Sequence, residues 1–268
     1  MSVMFFKYGD TLKRLALATL LIGLALGPAR SLSASAFRVN PIRITFDRST
    51  KSVLLTLSND STDELRFQVS AVQWAQEQGT GEMQLTPTDD ILFFPALLTL
   101  KAGEERKVRI GSTVKSGATE KTYRIFFEEL PALQTPRIEK GSQVRIITKM
   151  GIPIFVEPEK KVAAGSITNF AVRGGKAWFD VRNTGNVHFL AQSVRVVGLD
   201  AAGQPLFDKQ REGWYVLSGG TRTYDLPLSA AECSKLKTVR VEVQTDVVRP
   251  EVSVLKNQYA VPEGICSK

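Results

Sequence analysis

Histidine occurs once in the 268 residues, at position 188, and cysteine only twice, at 233 and 266. Zinc sites draw three or four such ligands from short, regular spacings, and no such spacing is present. A nucleophilic triad would have to use His188, yet no Gly-x-Ser-x-Gly elbow occurs in the chain. Walker loops and strand-flanked Gly-x-Gly-x-x-Gly turns are missing as well. Glu128 and Glu129 are adjacent, so on a strand they point to opposite faces and cannot work as a carboxylate pair. The sequence is read as non-enzymatic, with no cofactor and no metal, and His188 as a structural histidine beside the turn Asn183 to Asn186.

Aromatic residues make up 8% of the chain and charged residues 23%, with a net charge of +8. The basic residues form no run and do not interleave with aromatics as a base-stacking platform would, so nucleic acid is not an expected partner. Long apolar runs are scarce too. The one that stands out, Leu15 to Gly27, has thirteen uncharged residues, short of the roughly 20 that span a bilayer. Lys7, Lys13 and Arg14 precede it and the small residues Ala34 and Ala36 follow, which is the pattern of a secretory signal covering residues 1–36 and cleaved before Phe37. An uncleaved anchor is the other reading of this run. Cleavage would remove four basic residues and one acidic, lowering the net charge from +8 to +5. In an exported chain, Cys233 and Cys266 can form one disulfide or remain two thiols.

What the sequence does contain is period-two alternation, nearly everywhere. Candidate strands run Phe37 to Phe46, Ser52 to Leu57, Leu65 to Trp74, Ile91 to Phe94, Leu97 to Leu100, Arg106 to Ile110, Tyr123 to Leu130 and Val144 to Val156. Turn signals such as Ser58-Asn59-Asp60-Ser61 and Gly79-Thr80-Gly81 separate them. This rhythm is that of an immunoglobulin-like sandwich. Glu157-Pro158-Glu159-Lys160-Lys161 then breaks the pattern and reads as a linker. A second set follows, from Ser166 to Tyr259, with its clearest turns at Asn183 to Asn186 and Ser218 to Gly220. The fold expected is all-β, with two sandwich domains at residues 37–158 and 159–268. No fixed repeat of a solenoid or propeller is present.

The strand after Gly141 is the most informative. Ser142, Val144, Ile146, Thr148, Met150, Ile152, Ile154 and Val156 share one face, which is nearly all apolar. Such a row ordinarily packs into its own core. Pro153 has no N–H for a ladder, however, and Gly151 weakens a strand interior, so the element is expected at a sheet edge. A long apolar edge is an aggregation hazard unless something covers it.

Several segments in order resemble the periplasmic chaperones of pilus assembly, the chaperone–usher family, across the whole mature length. They are Asn40-Pro41-Ile42-Arg43-Ile44-Thr45-Phe46, Leu55 to Asp60, Trp74, Tyr123 to Pro131, the strand ending Phe155-Val156-Glu157-Pro158, and the turn Asn183 to Asn186. The resemblance implies two immunoglobulin-like domains in a boomerang, with a cleft between them. It implies a chaperone that lends an edge strand to an incomplete pilus or coat subunit and delivers the subunit to an outer-membrane usher. The lent residues would be Val144, Ile146 and Thr148, with Ser142 and Met150 at the ends. In the family a pair of basic residues in the cleft holds the subunit's terminal carboxylate. Arg43, on the first strand, matches the first of them. Pro153 stands where the family usually has lysine, so Lys149, on the same face, is the substitute candidate. That departure suggests a divergent branch, such as the one serving spore-coat-U-like pili. The alternative function is a secreted sandwich subunit or adhesin, and a third, a secreted hydrolase, hangs on His188 alone. A subunit would carry a donor extension ahead of its first strand, whereas Phe37 begins the strand at once.

Overall fold

The computed structural model describes residues 36–131, 146–248 and 250–262. Residues 1–35 of the expected signal segment 1–36, with Ser142, Val144 and Cys266, lie outside the described residues.

Two sheets build the N-terminal sandwich. The first has the order β1 (Phe37–Asn40), β3 (Ser52–Asn59), β8 (Glu105–Ser112) and β6 (Ile91–Phe94). The second runs β2 (Ile44–Phe46), β10 (Lys149–Val156), β9 (Lys121–Leu130), β4 (Leu65–Gln76) and β5 (Met83–Pro87), with β7 (Leu97–Leu100) also on β4. Alternation turns one side of each strand inward. Leu55, Leu57, Val108 and Ile110 from the first sheet thereby meet Phe67, Val69, Ile125, Phe127, Ile152 and Ile154 from the second in one buried cluster. Burying each such side chain is worth about 1.5–3 kcal/mol.

The expected first strand is two strands. It breaks at Pro41, which has no N–H to continue the ladder with β3, and the chain crosses from one sheet to the other. β1 pairs antiparallel with β3, while β2 pairs parallel with β10. Arg43 therefore lies in the bend just ahead of β2, not within a strand.

The second sandwich packs β11 (Gly165–Arg173), β12 (Lys176–Asn183) and β16 (Thr221–Pro227) against β14 (Pro205–Glu212), β13 (Phe189–Leu199), β17 (Thr238–Thr245) and β18 (Val254–Ala260), with β15 (Tyr215–Val216) on β13. Its own buried cluster runs from Ile167 to Val261. Three elements have no counterpart in the period-two reading: β5 and two short helices, Ala230–Lys235 and Pro250–Ser253. Helix α1 (Ala230–Lys235) starts in a capping box, where Ser229 Oγ accepts the Glu232 N–H and the Glu232 side chain accepts the Ser229 N–H.

Each sandwich uses a buried asparagine at a strand end to tie a turn. Asn59 Nδ2 donates to the carbonyls of Asp63 and Leu100 at 2.7 and 3.1 Å, while its Oδ1 accepts the Ser61 N–H. Asn183 Nδ2 donates to Val187 and Val216 at 2.8 and 2.9 Å, and its Oδ1 accepts the Gly185 N–H. A side-chain amide that satisfies several buried carbonyls at once is costly to replace, because each would be left unpaired.

The turn that Asn183 ties also joins the two sandwiches. Asn186 Nδ2 donates to Ala118 and Lys160, and its carbonyl accepts the Glu120 N–H. Buried Glu120 takes the His188 backbone N–H at 2.9 Å, and its Oε2 lies 2.8 Å from His188 Nδ1. The His188 ring stacks on Phe155 at 3.5 Å between centroids. The lone histidine is thus a structural piece of the junction. Further along, the β4–β5 hairpin reaches the second sandwich: Gln76 pairs with the backbone of Tyr215 and Leu217, and the Thr223 N–H donates to the Gly79 carbonyl. Trp74, Phe155 and Leu217 form a small buried cluster in the middle.

Gly185 shows how tightly this junction is built. A Cβ there would stand 2.3 Å from the Val162 carbonyl oxygen and 2.7 Å from the Ala164 nitrogen, both backbone atoms. Gly185→Ala should therefore cost about 1–3 kcal/mol, lowering the melting temperature by roughly 2–4 °C per kcal/mol for a chain of this size. Calorimetry of the variant checks this, and an unchanged melt would show that the linker yields.

Candidate functional site

β10 divides the apolar row between two roles. From Ile154 to Val156 it is flanked by β2 on one side and β9 on the other; from Lys149 to Pro153 only β9 pairs with it. The element is an edge along its first part and interior along its last, because β2 is only three residues long. It is also shorter than the alternation indicated, beginning at Lys149 and not at Val144. The Thr148 carbonyl still accepts the Glu129 N–H at 2.9 Å, so the extended path continues past the assigned strand.

Side chains follow the same division. Ile152, Ile154 and Val156 are buried in the N-terminal core, Met150 packs on its rim, and Ile146 is 59% exposed. The core reading of the row therefore holds from Ile152 onward and does not hold at Ile146. Next to the free edge lies a groove of about 590 Å³ lined by Phe37, Val39, Ile42, Thr56 and Met150, with Ile42 74% exposed. A further strand added to β10 would run beside this groove.

Arg43 stands where the cleft would be. Its Nη1 donates to Asp246 Oδ2 at 3.1 Å and its Nη2 to the Tyr215 hydroxyl at 3.0 Å. Both partners belong to the second sandwich, Asp246 just after β17 and Tyr215 in β15. Although partial burial opposes the charge, the hydroxyl and the carboxylate hold the Arg43 pKa above its ordinary value.

Lys149 does not join it. Its ammonium pairs with Glu128 across the β9–β10 ladder at 2.7 Å and sits 5.0 Å above the Phe126 ring. Ile44 pairs with Ile154, which puts Arg43 level with Pro153. Lys149 is four residues up the strand from that level, about 13 Å at the rise of an extended chain. The ion pair is exposed on both sides and is worth at most about 1 kcal/mol.

A cation that the sequence reading passed over occupies the level of Arg43. Pro153 pairs with Arg124 on β9, so Arg43, Pro153 and Arg124 lie abreast on three neighbouring strands. Arg124 lies 4.7 Å from the Trp74 ring and 5.9 Å from the Trp214 ring, and it is only 8% exposed. Alternation alone places it on the face of β9 opposite the core residues Tyr123, Ile125 and Phe127, which was the available signal.

The division of the row has a direct check. Ile154→Asp should unfold the N-terminal sandwich, since a carboxylate would replace a fully buried side chain. Ile146→Asp should melt within about 1 °C of the parent, as surface substitutions shift stability little. Thermal unfolding of the two variants decides; a large loss from Ile146→Asp would make that residue core.

Residues 36–161 match the family model described as "Pili and flagellar-assembly chaperone, PapD N-terminal domain". A comparison with curated proteins gives no match. Among solved structures, the chain is similar to one in the CsuC–CsuE chaperone–tip adhesion subunit pre-assembly complex, from the archaic chaperone–usher Csu pili of Acinetobacter baumannii. Identity there is 18%, with a TM-score of 0.53 over 84% of this chain and 98% of that one. It is similar also to a chain in the Salmonella enterica SafA pilin–SafB chaperone complex, at 15% identity and TM-score 0.52 over 86% and 99%. The E. coli chaperone DraB aligns at 18% identity and TM-score 0.51 over 85% and 98%. These likenesses are of fold, and the family match covers the first sandwich: residues 36–161 form a PapD-type N-terminal domain of the pili and flagellar-assembly chaperones.

Proposed function

We propose that this chain is a periplasmic chaperone that holds pilus or coat subunits by lending them the strand that leads into β10, and passes them to an outer-membrane usher. Ser142, Val144, Ile146, Thr148 and Met150 are the lent side chains, and Arg43 is the cation that fixes where the subunit's chain end stops. The observation that carries this reading is the free, apolar edge ahead of Ile152, next to a groove and continuous with a strand anchored in the core. Strand addition to such an edge supplies main-chain hydrogen bonds, and pockets for alternate side chains supply specificity. The alternative of a secreted subunit or adhesin draws less support, because here β2 and β10 complete their own sheet and a subunit that needs a donor would lack one. The two buried clusters support a division into domains at 37–158 and 159–268.

Magnitudes assign the roles. Full burial of Ile146 or Val144 contributes about 1.5–3 kcal/mol each, so the apolar row supplies affinity. A one-residue slip would turn the wrong face inward, so a fixed cation at Arg43 supplies register. Ile146→Asp and Arg43→Ala should each reduce co-purification of a cognate subunit from the periplasm by tenfold or more while leaving a normal melt, and Lys149→Ala should have little effect. Normal capture by Arg43→Ala would remove the register role. Normal capture by Ile146→Asp would remove the lent strand.

Export and oxidation are tested by one measurement. Intact mass of the unreduced protein from the periplasm should correspond to a chain beginning at Phe37, less two hydrogens for a Cys233–Cys266 bond that contributes about 2–4 kcal/mol. A mass that includes the apolar run, or two free thiols, would overturn the respective assignment.

A further inference from the structure

The side of the second sandwich where β14 and β16 meet gathers donors around one buried hydroxyl. These are edge strands of its two sheets, and cations on β14 stitch them together: Lys209 Nζ donates to the Pro227 carbonyl and Arg211 Nη1 to the Asp225 carbonyl, both at 2.9 Å. The next step of this stitching falls past Glu212, where β14 ends. At that level β16 turns to the β4–β5 hairpin, with the Thr223 N–H on the Gly79 carbonyl and Arg222 Nη1 on the Gly81 carbonyl at 3.1 Å.

Tyr224 lies between these contacts. Its ring stacks on Phe179 at 5.8 Å between centroids, and the guanidinium carbons of Arg211 and Arg222 are 5.5 and 5.9 Å from the ring centre. Only 3% of the residue is exposed, and its hydroxyl is buried with no hydrogen-bond partner. Burial raises the Tyr224 pKa, while Arg222, the Trp214 N–H and Arg211 pull it down. These three neighbours are all donors, and the phenol has a proton of its own to give, which none of them accepts. Buried polar groups left in this state are uncommon and costly.

Charge points the same way. Arg211 shares the carboxylate of Asp225 with Lys176, whose ammonium is the closer at 2.6 Å against 3.5 Å. Arg222 has no ion pair among the described residues, and its bond to Gly81 is to a neutral carbonyl. Two arginines and a lysine thus face a single carboxylate.

We propose that Arg211, Arg222 and the Tyr224 hydroxyl form a binding site for an oxyanion of the phosphate class, on the second sandwich beside the hairpin. Guanidinium forks pair with phosphate oxygens bidentately. Here the donors come from β14, from β16 and from the connection at Trp214. A phosphate group, with three strong acceptor oxygens, meets all of them, whereas a carboxylate has two oxygens. The site is separate from the lent strand and from Arg43, so it stands or falls independently of the chaperone reading. Arg222 holds the Gly81 carbonyl at the same time, so the anion and the hairpin contact share one residue.

Calorimetric titration of the purified protein with inorganic phosphate, at constant ionic strength balanced by chloride, tests the site. Phosphate should bind saturably and raise the melting temperature; chloride and acetate should do neither. Glycerol 3-phosphate separates the sources: binding as tight as that of phosphate, or tighter, identifies a phosphate ester as the ligand, and weaker binding identifies the free ion. Tyr224→Phe keeps the ring and removes the hydroxyl alone. It should weaken phosphate binding at least tenfold while its phosphate-free melt stays within about 1 °C of the parent, since the hydroxyl has no bond there to lose. A hydroxyl with only a structural role would not give this split. Arg222→Gln should weaken binding at least tenfold, Arg222→Lys should retain part of it, and Arg195→Gln, an exposed arginine paired with Asp208, should match the parent. The proposal is overturned if phosphate gives no saturable response beyond chloride, if acetate binds as tightly as phosphate, or if folded Tyr224→Phe or Arg222→Gln binds phosphate as the parent does. Should Tyr224→Phe fail to fold, Arg222→Gln decides, at a part-exposed position.

Discussion

The junction of Trp74, Phe155 and Leu217 is the constraint on which the other features depend. Phe155 is fully buried there, stacked against His188, while its neighbours Ile154 and Val156 point the other way into the N-terminal core. One strand therefore serves two hydrophobic clusters at once, a consequence of alternation when both faces are covered. The end of β10 cannot shift register without pulling apart either the N-terminal sandwich or the junction. That fixes the height of the free edge, and it fixes the level at which Arg43, Pro153 and Arg124 stand abreast.

The junction is polar around its rim as well as apolar at its centre. Glu120 and His188, Asn186 with Ala118 and Lys160, and Gln76 with Tyr215 and Leu217 surround it. Hydrogen bonds of this kind contribute modestly each but are directional, so they set one relative placement of the sandwiches where apolar contact alone would allow several. Tyr215 belongs to both sets: its carbonyl takes Gln76, and its ring and hydroxyl take Arg43. The cleft cations are positioned by the same residues that hold the sandwiches together.

Much of this was legible in the alternation. Most strands fall where period two puts them, and both sandwiches follow from the rhythm of turns. The mistakes have physical causes. Residues 37–46 read as one strand because alternation does not register that Pro41 sends the chain to another sheet. The Ser229 to Glu232 capping box is a local signature, but six helical residues are too few to show a 3.6 period. Val144 to Val156 looked like one edge strand because periodicity is blind to partners: β2 covers its last three residues and leaves the rest. Lys149 shares a face with Pro153, but the level of Arg43 is set across strands, and the cross-strand neighbour of Pro153 is Arg124. Pairing of that kind depends on register between segments thirty residues apart, which the local pattern does not contain.

An exposed apolar edge invites pairing with another copy of the same chain, and β10 carries its own safeguards on the face opposite Met150 and Ile152. Lys149 presents a charge at the start of the strand, tied to Glu128. Gly151 has no side chain because the Phe126 ring fills its place; a Cβ would stand 2.6 Å from that ring. Pro153 removes the last donor before β2 takes over the pairing. A second copy that added itself along this edge would lose a ladder bond at Pro153 and meet like charge at Lys149 in an antiparallel or parallel pairing centred there. A partner strand whose chain ended at the level of Pro153 would avoid the first penalty. Charge, the missing Cβ and the missing N–H on one face thus make the edge a poor template for itself.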